Sequence, residues 1–259
     1  PTWIGTVAAQ PTAGAGIVML LTTAAGLSAY MLSFRLLRRS QSKEARRAAN
    51  YIFRMVGILV SLFLSLTFAD VVLELNQIEA AVEREAVMLE DVYRDLDRYE
   101  SDRAQRAQGL VTKYIEAVIQ HDWPALANDR LSRQARDVFI QLENEVLRLV
   151  DDSEYENILR SRIVSDVDTI SDLRLSRLEQ ALAKPPLFLI VVIFGFLTTM
   201  VCFGPHEPNR TTVSLLSFYT FLIGLVIYLI LAYSDPFQGA TAIEPASLEY
   251  VLEEIRSES

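Results

Sequence analysis

The stretch Met55–Leu75, MVGILVSLFLSLTFADVVLEL, decides the class of this fold. Its first part, Met55–Ala69, carries no charged side chain, and Asp70 and Glu74 follow directly. A helix needs about 20 apolar residues to cross the hydrocarbon. This run spans only if Arg54 and Asp70 lie near the interfaces or face a wet interior. A charge at the bilayer centre costs roughly 2.5–3.5 kcal/mol on insertion scales, so ionisable groups at the end of a span are functional candidates. Asp70 and Glu74 are four residues apart and share a helix face. That face continues inward through Thr67, Phe63, Val60 and Val56, beside a stripe that carries Ser61 and Ser65. Around an axis shared by several copies, Val56, Val60 and Phe63 would form an apolar constriction, with Thr67 beyond it and Asp70 and Glu74 ringing the outer mouth. Apolar constrictions and charged rings are the parts of gates and filters. The same two acids would also suit the start of an extramembrane helix at the interface, and spacing leaves both readings open.

Three further runs lack charge: Ala13–Phe34, Leu187–Gly204 and Thr211–Ser234. In water, four such surfaces would be a large aggregation liability. In lipid, each helix satisfies its own backbone hydrogen bonds. The expectation is an all-α membrane protein with four transmembrane helices and a helical extramembrane domain between spans two and three. Its divisions are 1–75 (tail and spans one and two), 76–185 (helical domain), 186–234 (spans three and four) and 235–259 (acidic tail). Small residues in the first span (Gly16, Ala24, Ala25, Gly26, Ser28, Ala29) allow close helix approach.

Orientation follows from the basic residues. Arg38, Arg39, Lys43, Arg46 and Arg47 lie between spans one and two, flanked by Arg35 and Arg54, against the single acid Glu44. By the positive-inside rule this loop is cytoplasmic. The helical domain is then expected on the non-cytoplasmic side, and in a bacterium the membrane is the inner one.

Residues 76–185 read as helical throughout. Ile78, Val82, Glu85, Leu89, Val92 and Leu96 keep helical spacing directly after span two, which predicts an unbroken helix to about Tyr99. A second helix is expected over 103–121. Pro124 suits the first turn of a third that reaches about Val150. A fourth would run from about Glu154 to Lys184, with Asp151 and Asp152 capping it. The interleaved charges suit a solvated face.

The net charge of −9 excludes the basic face a nucleic-acid binder requires. The single cysteine, Cys202, lies in an apolar run and cannot form an internal disulfide. His121 and His206 fall in different segments, and no cofactor, metal or hydrolase motif occurs. The chain is therefore expected to be no enzyme and to need no cofactor or metal.

Three motifs resemble the bestrophin-like family of bacterial membrane proteins. They are ELNQIEAAVEREAVMLEDVYRDL at 74–96, YIEAVIQHDWPAL at 114–126 and LAYSDPFQGATAIEP at 231–245. With the order two spans, helical domain, two spans, the resemblance covers nearly the whole chain. It implies likeness to bestrophins, pentameric anion channels whose second span lines the pore. Its partners would be the lipid bilayer, further copies of itself and ions. Bestrophins hold their helical domain in the cytoplasm, whereas the basic loop here argues the reverse, and Asp70 and Glu74 favour cations at their mouth. The competing expectation is a membrane-anchored sensing or interaction protein that uses residues 76–185 as its binding module.

Overall fold

A computed structural model describes residues 11–37, 42–99, 101–128, 130–150, 153–181, 188–239 and 241–258. Every regular element among them is helical. In chain order these are α1 (Pro11–Leu37), α2 (Lys43–Asp97), α3 (Asp102–Ala117), a π-helical turn (Val118–Asp122), α4 (Trp123–Leu126), α5 (Gln134–Leu147), α6 (Glu154–Ala181), α7 (Phe188–Cys202), α8 (Arg210–Tyr233) and α9 (Ala246–Glu258). The chain divides into two compact units, 1–75 with 184–241 and 76–183 with 242–259.

In the first unit, α1, α2 and α8 are long and apolar enough to cross a membrane. The fourth expected span is shorter: α7 has 15 residues, about 22 Å of helix against a hydrocarbon core of about 30 Å. Residues 182–187, which precede it, lie outside the described part. Glycines let α1 and α8 pack closely. A Cβ on Gly224 would meet the Met19 backbone at 2.9 Å, and one on Gly26 would meet Thr220 at 2.7 Å and Phe196 at 2.9 Å. Gly16, grouped with them on sequence, faces open space. Side-chain bonds to main chain tie the α7–α8 turn down: Tyr30 donates to the His206 carbonyl at 3.0 Å and Ser33 to that of Val201 at 2.7 Å. Arg46 from the basic loop pairs with Glu207 at 2.9 Å. Asn209 caps α8, its side chain accepting from the Thr212 amide.

In the second unit the apolar stripe of α2 is buried as its spacing predicts: Ile78, Val82, Leu89, Val92 and Leu96. α3 buries Ala104, Ala107, Val111 and Ile115 in the same unit. Two expectations change here. The third helix does not run from Pro124 to Val150; α4 ends at Leu126 and α5 starts at Gln134. Asn128 donates its side-chain amide to the Pro124 carbonyl at 2.7 Å, and Ser132 accepts from the Gln134 amide. Such local bonds compete with the helical ladder. The second helix widens into a π turn before Pro124, whose ring would clash with the Gln120 carbonyl in a regular helix. Asp151 and Asp152 lie outside the described residues; Ser153 caps α6 by accepting from the Glu156 amide. The acidic C-terminal stretch holds α9, which buries Leu248, Val251, Leu252 and Ile255 within this unit. Arg94 bonds Glu254 at 2.8 Å and Arg256 bonds Glu116 at 2.6 Å.

Candidate functional site

The sequence-derived stripe on α2 straddles the edge of the buried face. Val60 and Thr67 are turned into the subunit, with Leu64 and Val71 between and beyond them. Val60 packs so close to Gly195 that a Cβ there would lie 2.6 Å from it. The Thr67 hydroxyl is spent on the Phe63 carbonyl at 2.8 Å. Val56 is half-buried against the same apolar cluster, whereas Phe63, Asp70 and Glu74 are exposed. The reason is angular. Each residue turns a helix by about 100°, so steps of four and three along 56, 60, 63, 67, 70 and 74 swing to either side of one line along the helix, with Val60 and Thr67 on its buried side and Phe63 and Asp70 on its exposed side. The exposed side carries Leu59, Phe63, Leu66, Asp70 and Glu74.

The densest chemistry lies in the second unit, where the sequence reading named no site. Glu85, Tyr114, Asp122 and Arg177 are all essentially inaccessible. They come from α2, α3, the π turn and α6. Tyr114 donates to Glu85 Oε1 at 2.7 Å, and Arg177 Nη2 donates to the same oxygen at 3.2 Å. Arg177 Nη2 also stands 4.0 Å from Asp122 Oδ2. The guanidinium lies 5.1 Å from the centroid of the Trp123 ring, a cation–π arrangement. Trp123 Nε1 in turn donates to the Ile243 carbonyl at 2.9 Å. One buried cation thus ties four separate segments of the unit together. Among the described residues, Glu85 Oε2 and the Nε and Nη1 of Arg177 have no hydrogen-bond partner. A buried ion pair adds little net stability over an apolar core, but removing one partner is costly because it strands the other charge.

The electrostatics follow from this geometry. Burial pushes the Asp122 carboxyl above its ordinary value, with Arg177 and then Arg174 opposing the shift. Burial and the adjacent Glu85 charge hold the Tyr114 hydroxyl protonated far into the alkaline range. Burial alone would lower Arg177, but Glu85, Tyr114 and Asp122 outweigh it and keep the guanidinium charged. The cluster offers neither an exposed nucleophile nor an accessible acid–base pair, and its chemistry is that of a lock. Two signals pointed to it in the sequence. Glu85 occupies a core position of the α2 stripe between Val82 and Leu89. Tyr114, Asp122 and Trp123 all lie within YIEAVIQHDWPAL. His121, adjacent in that motif, is exposed.

Among curated protein sequences, none matches this chain. Solved structures do. A bacterial bestrophin homologue from Klebsiella pneumoniae superposes with a TM-score of 0.66 at 13% identity, over 93% of this chain and 97% of its own. A crystal structure described as a membrane protein superposes with a TM-score of 0.65 at 12% identity, over 94% and 97%. At such identity these likenesses show the fold. The Bestrophin-like domain model matches residues 20–248, nearly the whole sequence, and the chain belongs to that family.

Proposed function

We propose that several copies of this chain, five by analogy with bestrophins, surround an ion-conducting pore lined by α2. The observation that carries this reading is the exposed side of α2, where an apolar run containing Phe63 gives way to the exposed Asp70 and Glu74. A membrane helix that keeps acids free at the end of its span needs a wet surface for them. A pore mouth supplies one. Phe63 forms the constriction, with Val56 at its flank. Asp70 and Glu74 form the charged mouth and favour cations there. Val60 and Thr67, turned inward, set the rotation of the lining helix and so aim Phe63. α7 serves as the fourth span, the membrane is the bacterial inner membrane, and the basic loop keeps 76–185 on the non-cytoplasmic side.

Reconstitution into planar bilayers tests this. The protein should conduct, Phe63→Ala should raise unitary conductance, and Asp70→Asn with Glu74→Gln should shift the reversal potential under a salt gradient away from cation preference. Silent bilayers from folded, oligomeric protein would refute it. Labelling of a cysteine placed in the helical domain, with intact cells and a membrane-impermeant reagent, tests the orientation separately.

A further inference from the structure

We propose that the groove between α3 and α5 is a binding site for a small diphosphate-bearing anion. The groove is open to solvent and has a volume of about 610 Å³, within the range of ligand sites. Its walls carry Arg106 and Lys113 from α3 and Arg148, the residue that follows the end of α5. Glu145 is the one carboxylate in the lining, and it lies 3.4 Å from Arg106 and 3.9 Å from Arg103. No ion pair joins Lys113 or Arg148 to a carboxylate among the described residues. Three cations against one carboxylate leave two positive charges uncompensated, in a chain whose net charge is −9. A monocarboxylate would balance only half of that excess, whereas phosphate groups carry about 1.5–2 negative charges each at neutral pH.

The floor of the groove is a second, independent observation. Gly109 lies in the middle of α3, where glycine weakens a helix. No neighbour explains it: a Cβ there would meet nothing within 4 Å. The glycine leaves an open floor between the cations. Arg106 and Lys113 are seven residues apart on one helix, about 10 Å along its axis. At that separation a diphosphate can set one phosphate group against each cation. Gln141 and Asn144 on the opposite wall supply amide groups for the remaining oxygens.

Isothermal titration of the full-length protein in detergent with inorganic pyrophosphate tests the site. Saturable binding is expected, weakening as salt rises, with orthophosphate at least tenfold weaker. Lys113→Glu and Arg148→Glu should each weaken pyrophosphate at least tenfold. Gly109→Leu should abolish binding without altering any charge, while helicity and melting temperature stay at or above those of the parent. A nucleoside diphosphate that binds more tightly than pyrophosphate, with the same sensitivity to Gly109→Leu, would identify the ligand as a nucleotide. Equal affinity would identify free pyrophosphate. No saturable binding of either, or binding that survives Gly109→Leu, would overturn the proposal, because diffuse attraction to surface cations does not depend on the floor.

Discussion

Replacing Arg177 with methionine removes the guanidinium that faces Glu85 and Asp122 while keeping an unbranched side chain of similar reach. Arg177 and Glu85 are both inaccessible to water and meet through a 3.2 Å bond. Deleting one partner of such a pair strands a buried charge, at a cost of about 3–5 kcal/mol. A domain of this size loses roughly 4 °C of melting temperature per kcal/mol, so thermal unfolding followed by far-ultraviolet circular dichroism should fall by about 12–20 °C. Glu85→Gln introduced into the Arg177→Met protein should recover part of the loss, since the stranded carboxylate is then gone. The cycle should give a coupling energy of about 1–3 kcal/mol. A loss below about 1 kcal/mol, or additive single and double variants, would refute the assignment of Arg177 as the counter-charge of this core.

Asp122→Asn should stabilise the protein at neutral pH. A carboxyl whose folded pKa is raised holds its proton more tightly folded than unfolded, so its ionisation lowers stability as pH climbs from the ordinary carboxylate value to the raised one. The advantage of the variant should therefore fade as pH falls below that window, which melting curves across pH will show. Gly224→Ala should cost about 1–3 kcal/mol through its clash with the Met19 backbone, whereas Gly16→Ala, facing open space, should leave the melting temperature unlowered. Trp123→Phe keeps a ring beneath Arg177 but loses the bond to the Ile243 carbonyl, at about 1 kcal/mol. Faster hydrogen exchange in α9 is the measurement that detects it.

The helical stripe at Ile78, Val82, Glu85, Leu89, Val92 and Leu96 could be read directly from spacing, and the structure buries all six. The uncharged runs at 13–34 and 211–234 likewise foretold α1 and α8, because hydropathy over one span is a property of consecutive residues. The α2 stripe was less legible. Val60 and Phe63 look equivalent on a helical wheel drawn without neighbours, and only Gly195 packing against Val60 shows which one turns inward. α9 was hidden for a related reason: its acids dominate its composition, while Leu248, Val251, Leu252 and Ile255 form a stripe that matters once something covers it.

Sequence by itself determined the all-helical class, the three long apolar helices and the position of Glu85 on a core-facing stripe. These follow from local hydropathy and a fixed helical period, which no distant contact alters. Tertiary structure alone decided that Glu85 meets Arg177, 92 residues away, and that the helix after Pro124 breaks. It also decided that Gly109 lines one groove with Arg106, Lys113 and Arg148. Each of these depends on which surfaces meet, and charge or glycine content carries no record of its eventual neighbour.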